Sequence, residues 1–187
     1  DVAILYDHLR TQLYEDLVTE FSPNLDDWGA EVQPDLTFRF NKTELLFGKG
    51  ESNLNPDFQT ILSDFFPRYV GIITAPKYRD DILEIRIEGH TSTGWLGATS
   101  EDDAYIYNMA LSQARTRSTL AYLLSLSELK DQKVWLRKYL TANGLSSAKA
   151  IVDDNGIEDG DRSRRVEFKV RTDAEGKIAT ILEDVLP

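Results

Sequence analysis

A short helical motif carries the most specific chemistry in the chain. The sequence Asn-Met-Ala-Leu-Ser-Gln-Ala-Arg runs from Asn108 to Arg115. At helical spacing, Asn108, Leu111 and Arg115 share one face of the helix. The planar guanidinium of an arginine matches the geometry of a carboxylate. The motif therefore predicts one wall of a groove for a small anionic or zwitterionic ligand.

Two further segments belong to the same predicted groove. A polar loop at 89–94, Gly-His-Thr-Ser-Thr-Gly, follows a predicted strand and supplies Thr91, Ser92 and Thr93. Near the carboxyl terminus, Arg164 and Arg165 are consecutive in a predicted strand, so at most one of them faces the groove. We assign Arg164 to the groove.

Catalysis and metal binding find little support in the residue types. The histidines are His8 and His90, and no serine lies in a Gly-x-Ser-x-Gly turn. There is no cysteine, so neither a thiol nucleophile nor a thiolate metal site exists. The acidic loop at 153–161 does not fit the calcium-loop spacing. We predict a non-enzymatic protein with no metal and no cofactor.

Composition limits the partners. The formal net charge of −11 makes nucleic acid a poor partner, because like charges repel. No apolar run approaches the roughly 20 residues of a membrane span. The chain begins at Asp1 rather than Met, and we interpret it as the excised soluble part of a longer protein.

Hydrophobic periodicity predicts the elements. Apolar alternation predicts strands at 36–40, 81–88, 140–144 and 165–170, and a short extended piece at 43–47. Helical spacing predicts helices at 2–21, from Asn55 onward with a kink or break at Pro67, at 105–124 and at 129–139. The order predicts an α/β (α+β) sandwich, β-α-β-α-β-β, whose mixed sheet carries its helices on one face.

The leading helix has two interpretations. Its apolar positions Val2, Leu5, Leu9, Leu13, Leu17 and Phe21 form one stripe. This stripe fits a helix packed on its own domain, and it also fits the seam of a coiled coil with a second copy. We divide the chain into a helix and linker at 1–35, which could mediate dimerisation, and a ligand-binding domain at 36–187.

Four motifs in order resemble the OmpA-like peptidoglycan-binding domain family. They are Leu-Phe-Gly-Lys-Gly-Glu-Ser-Asn-Leu at 46–54, Ile-Glu-Gly-His-Thr at 87–91, the Asn108–Arg115 motif preceded by Tyr107, and Ser-Arg-Arg-Val-Glu at 163–167. The resemblance covers about residues 36–170. With its leading helix, the chain is most similar to the MotB-like branch, including subunits of ion-driven motors that act outside the flagellum.

The resemblance implies a ligand and its anchors. In the family, the groove holds the diaminopimelate of the peptidoglycan stem peptide; the motif arginine grips a carboxylate and an aspartate holds the amine. The arginine corresponds to Arg115 and the motif asparagine to Asn108, but Ser92 replaces the aspartate. Either Asp102 or Asp103 supplies the missing carboxylate, or the ligand or binding mode differs.

The resemblance also implies a function. It predicts a periplasmic module of a single-pass inner-membrane protein that anchors a stator-like motor, of the kind used in anti-phage defence, to the cell wall. The expected partners are the stem peptide, a second copy in a homodimer, and a motor subunit reached through an N-terminal membrane helix. The alternatives are a dimerisation or partner-binding platform with weak or lost wall binding, and a wall hydrolase.

Overall fold

The computed structural model describes residues 2–185, apart from the side chains at positions 2, 3, 5, 6, 174 and 175. The predicted stripe positions Val2 and Leu5 therefore lie outside the described side chains. Among residues 2–185, no helix combines the length and the apolar composition that crossing a bilayer requires.

A five-stranded mixed sheet forms the centre of the protein. Its order is β1-β2-β5-β3-β4, with β3 and β4 parallel and the other neighbours antiparallel. The strands are β1 (Ala30–Val32), β2 (Thr37–Phe40), β3 (Ile82–His90), β4 (Leu140–Gly144) and β5 (Arg165–Thr172). The predicted fold class is confirmed, and β1 adds an edge strand inside the segment that we had assigned to the linker.

Within residues 2–185, four longer helices and four short ones accompany the sheet. The helices are α1 (Val2–Phe21), α2 (Leu25–Trp28), α3 (Thr43–Leu46), α4 (Pro56–Ile73), α5 (Glu101–Ser125), α6 (Lys133–Tyr139), α7 (Gly160–Ser163) and α8 (Ala174–Val185). Short 3-10 turns cover Arg79–Asp81 and Ser127–Gln132.

Strand parity divides the sheet into an apolar and a charged face. On the apolar face, Phe38 of β2 lies 4.5 Å from Phe65 of α4 between ring centroids, and Phe168 of β5 lies 5.2 Å from Phe65. Phe21 of α1 also packs on Phe38 and Phe65. Helices α1 and α4 therefore bury their apolar stripes against one face of the sheet.

The leading helix is part of this core. Leu13, Leu17 and Phe21 are fully buried within the same hydrophobic cluster as the sheet. This packing matches the first of the two interpretations of its stripe. The division at residue 35 stays a prediction, although side chains from both sides of it share one core.

Two local predictions were wrong. Residues 43–46 form helix α3 rather than an extended piece; Phe47, which follows the helix, is extended, and Leu46 and Phe47 are both buried. Of the kink or break expected at Pro67, the break does not occur, since α4 continues to Ile73. Buried Phe65, Phe66 and Tyr69 hold the helix on both sides of the proline, so core packing outweighs the missing backbone donor.

Candidate functional site

Two glycines allow α5 to approach the end of the sheet. Gly89 of β3 is paired with Gly144 of β4 in the parallel register. A Cβ on Gly144 would lie 2.4 Å from the backbone nitrogen of Gln113, and one on Gly89 would lie 2.9 Å from the carbonyl oxygen of Ser112. Only glycine tolerates this close approach of helix backbone to strand. It places the Asn108–Arg115 motif beside the loop that follows β3.

Asn108 connects α5 to that loop. Its side-chain amide donates to the carbonyl oxygens of Ser92 and Gly94, at 3.1 Å each. The amide of Thr91 donates to the carbonyl oxygen of Ser146 at 2.9 Å. Asn108 and Thr91 are both buried. These bonds fix the course of residues 91–94 and make Asn108 a positioning residue for the loop.

Arg115 is a buried cation with neutral partners. Its Nε donates to the carbonyl oxygen of Glu51 at 2.8 Å and its Nη2 to that of Gly48 at 3.2 Å. The guanidinium carbon lies 4.8 Å from the ring centroid of Phe47. The residue is 8% exposed, and among the described side chains no carboxylate pairs with it. Buried charges are normally paired with an opposite charge.

The energetic cost of this arrangement appears in the pKa of Arg115. Burial, together with the nearby positive charge of Arg164, lowers the pKa of Arg115 to about 10. The side chain remains charged at neutral pH. Its remaining N–H groups are available to an anion, because a guanidinium has five donors and two are occupied.

A groove of about 860 Å³ lies next to Arg115, within the usual size range of small-ligand sites. One wall is the segment 43–50 and the other is the loop 91–96 with α5. The lining residues are Thr43, Glu44, Phe47, Gly48, Lys49, Gly50, Thr91, Ser92, Gly94, Trp95, Leu96, Asn108, Leu111, Arg115 and Arg164.

Most predicted site residues meet in this groove. Thr91, Ser92, Asn108, Leu111, Arg115 and Arg164 all line it. Arg164 donates to the Ser92 hydroxyl at 3.3 Å and forms an ion pair with Asp161. Thr93 does not line the groove. Its backbone amide donates to Glu158 at 2.8 Å, and its hydroxyl binds the same carboxylate.

The two aspartates expected to replace the missing carboxylate lie elsewhere. Asp102 and Asp103 are in the first turn of α5. Asp103 accepts a hydrogen bond from the Thr99 hydroxyl, and its backbone amide donates to Ser100, the N-cap of the helix. Neither aspartate lines the groove. Their compensating role stays an untested prediction.

The residue types and their spacing did not predict that residues 43–50 form a wall of the groove. It is more than 40 residues from the Arg115 motif in sequence, and its members include Glu44, Phe47 and Lys49. The resemblance assigned part of this segment to a strand and turn, without any role in binding. The glycines at 48 and 50 were the available sign of a turn whose backbone approaches another side chain.

A second cluster of titratable groups lies on the charged face of the sheet. Glu88, His90 and Glu167 are buried, and their ligand atoms lie within 4.8 Å of one another. The Lys169 ammonium lies 3.3 Å from Glu88 Oε1 and 3.6 Å from Glu167 Oε2. Arg165 donates to Glu167 at 2.5 Å. A metal ion would have to displace the ammonium, so this cluster is better described as an ion-pair network.

The network changes the pKa of its members. Burial alone would raise the pKa of Glu88, but hydrogen bonds from His90 and Arg86 and the charge of Lys169 outweigh it and lower the pKa to about 2. Burial lowers the pKa of His90 despite its hydrogen bond to Glu88. His90 is thus a structural partner of a carboxylate, on the opposite side of the sheet from Gly89.

Sequence comparison decides the family. The chain is 45% identical over 185 residues to the Zorya protein ZorB of Escherichia coli strain ATCC 8739, covering 98% of this chain and 78% of that protein. The chain belongs to the ZorB family. A second ZorB, from Escherichia coli O139:H28, is 29% identical over 131 residues, which are 67% of this chain and 48% of that protein. No family model matches the chain.

Solved structures confirm the fold. A putative MotB-like protein from Desulfovibrio vulgaris superposes with a TM-score of 0.58 at 24% identity, covering 89% of this chain and 96% of that one. The cell wall anchor of the T6SS from Pseudomonas aeruginosa superposes with a TM-score of 0.55 at 18% identity, covering 84% of this chain and 97% of that one. The periplasmic domain of Helicobacter pylori MotB superposes with a TM-score of 0.53 at 18% identity, covering 81% of this chain and 87% of that one.

The comparisons agree with two of the predictions from sequence. Membership of the ZorB family and a MotB-like fold confirm the resemblance to the MotB-like branch. Membership of the ZorB family and the MotB-like fold agree with the expectation of a non-enzymatic chain.

Proposed function

We propose that the chain is a periplasmic, non-catalytic module that binds the stem peptide of peptidoglycan and so anchors a membrane motor of anti-phage defence to the cell wall. The observation that carries the proposal is Arg115. It is a buried guanidinium with no carboxylate partner among the described residues, at the wall of an 860 Å³ groove. A ligand carboxylate would supply the opposite charge that Arg115 itself lacks.

The relatives, rather than the groove, support the proposal for the wider assembly. Relatives named ZorB, MotB-like and cell wall anchor support a stator-like subunit tethered to the inner membrane by an N-terminal helix. The diaminopimelate stem is the proposed ligand, because it carries both carboxylate and amine groups. Leu111 and Phe47 would contact its aliphatic part, since both line the groove.

Binding to purified sacculi tests the proposal. We expect wild-type protein to sediment with sacculi and Arg115→Lys to lose affinity roughly tenfold to a hundredfold, because an ammonium cannot reproduce the two-pronged contact of a guanidinium. Arg117→Ala is the matched control, since Arg117 is exposed on the same helix. Equal retention of wild type and Arg115→Lys, with both folded, would contradict the proposal.

A homodimer is the second part of the proposal. On α8, Leu182 and Val185 are 55% and 70% exposed, and Ile4 on the neighbouring α1 is 67% exposed. Exposed apolar side chains on adjacent helices favour a self-association surface. Light scattering of wild type and of Leu182→Glu tests it. A monomeric mass for wild type across the micromolar range would exclude a stable dimer.

A further inference from the structure

We infer that Glu44 is the second charged anchor of the groove and that it binds an ammonium group of the ligand. This inference rests on the proposed function, in which Arg115 binds a carboxylate of the ligand. It adds that Glu44 binds the amine of the same ligand. The carboxylate of Glu44 replaces, from the opposite wall, the acidic group that is absent at Ser92.

The first step of the argument is the charge of the groove. Three cations line it, namely Lys49, Arg115 and Arg164, together with a single carboxylate, that of Glu44. A purely anionic ligand would meet that carboxylate at a cost, since like charges repel at short range. A ligand with a carboxylate and an ammonium instead offers a partner of opposite charge to the cations and to the carboxylate of the groove.

The second step is the state of the nearby carboxylates. Glu158 accepts hydrogen bonds from Thr93, and Asp161 is paired with Arg164. Asp103 accepts from Thr99 at the start of α5. The side chain of Glu44 is exposed, and no cation or donor among the side chains that the structure describes contacts it. Glu44 is therefore the acid that lines the groove and is still available to a ligand.

The third step is the rigidity of the backbone that carries Glu44. The Asn55 side-chain amide donates to the carbonyl oxygen of Glu44 at 3.1 Å. The Thr43 hydroxyl donates to the carbonyl oxygen of Arg164 at 3.3 Å and connects α3 to the start of β5. A carboxylate on a fixed backbone loses less conformational entropy when it binds. The helical turn of α3 thus presents Glu44 to the groove.

Ser92 cannot take this role. Its hydroxyl accepts a hydrogen bond from Arg164 at 3.3 Å, which directs it towards a cation. A neutral hydroxyl beside a guanidinium gives an ammonium no favourable charge. In the proposed arrangement the acidic anchor is Glu44, on the wall opposite Ser92.

The test uses a soluble tripeptide stem, Ala–Glu–diaminopimelate, with its side-chain amine either free or acetylated, titrated by calorimetry. For the free amine, Glu44→Gln is expected to weaken binding roughly tenfold, as for loss of one charge-assisted contact. For the acetylated peptide, wild type and Glu44→Gln should bind equally, because the ammonium is gone. Asp57→Asn, an exposed acid on α4 outside the groove, is the matched control.

The outcomes separate the two proposals. If wild type binds the free peptide in an Arg115-dependent way but Glu44→Gln binds equally well, the role of Glu44 is overturned and the proposed function stands. If Glu44→Gln weakens both peptides equally, Glu44 does not bind the amine and the inference is again overturned. If neither peptide nor sacculi bind wild type, both proposals fail. Glu44→Asp should bind with an intermediate affinity, since it keeps the charge but shortens its reach.

Discussion

The side-chain amide of Asn108 lies 3.1 Å from the carbonyl oxygen of Ser92 and equally far from that of Gly94. One buried asparagine on α5 thereby holds the loop that forms a wall of the groove. The bonds connect the helix that carries Arg115 to the strand-end loop, so helix and loop form a single wall of the groove.

Replacing Asn108 should therefore loosen the loop without unfolding the protein. We expect Asn108→Ala to cost about 1–3 kcal/mol of stability, because two carbonyl groups lose their donor. Hydrogen exchange at residues 92–97 should accelerate, and affinity for sacculi should fall. Ser118→Ala, on a half-buried residue of the same helix, serves as control. Unchanged exchange in the loop of Asn108→Ala would show that other contacts hold it.

Gly144 is expected to be intolerant of a side chain. An added Cβ would lie 2.4 Å from the nitrogen and 2.7 Å from the Cα of Gln113, both backbone atoms of α5. Gly144→Ala must push the helix away from the sheet, and overpacking of this kind costs about 1–3 kcal/mol or more. Thermal melting should show the loss, and binding should weaken because α5 carries Arg115.

Gly71 provides the comparison for that substitution. It lies exposed in α4, and nothing is found within 4 Å of an added Cβ. Gly71→Ala should stabilise the protein by about 0.5–1 kcal/mol through helix propensity. A lower melting temperature for both variants would mean that alanine harms these positions for a reason other than the close contact at Gly144.

The ion-pair network predicts an acid sensitivity with a defined sign. The pKa of Glu88 is lowered from 4.5 to about 2, so the folded state binds a proton less readily than the unfolded chain. The stabilisation is fully present above about pH 4.5 and is lost as the pH falls towards 2. At about 1.4 kcal/mol for each pH unit, the loss is on the order of 3 kcal/mol. The lowered pKa of His90 adds to the loss, beginning as the pH falls through the usual histidine range.

Urea unfolding at several pH values measures this effect. Glu88→Gln should be less stable than wild type at pH 7, because Lys169 and Arg86 lose a partner. Its stability should then fall less steeply between pH 4.5 and 2. Asp57→Asn, without an ion pair among the described residues, should keep the wild-type slope. Parallel pH profiles for wild type and Glu88→Gln would contradict the assignment.

The leading helix should contribute to the stability of a single chain. Leu17 is fully buried in the common core, and truncating such a residue costs about 2–5 kcal/mol. We expect Leu17→Ala to unfold at lower urea, and the exposed Thr19→Ala to be close to neutral. The loss should not depend on protein concentration. A loss that disappears at high concentration would instead favour a seam between two copies.

Much of the fold was predictable because its signals are local. Alternation of Ile85 and Ile87 with charged residues predicted β3, and the apolar stripe of Leu13, Leu17 and Phe21 predicted α1. Periodicity records which face of an element is apolar, and burial of that face then decides its conformation. The helix break expected at Pro67 does not occur, because the interactions that decide the helix there are not local. Aromatic side chains of α4 pack on a sheet whose strands are far away in sequence, and this packing outweighs the tendency of proline to end a helix.

The candidate site was likewise predictable only in the part that depends on local sequence. The residue types and spacing of Asn108 and Arg115 by themselves predicted a helix that carries both side chains on the face that lines the groove. Only the tertiary structure decided what surrounds that arginine, because the segment 43–50 meets α5 through contacts between residues far apart in sequence. The same packing turns 43–46 into a helix and brings Glu44 to the groove, since the conformation of so short a segment is decided by its neighbours rather than by its own residues.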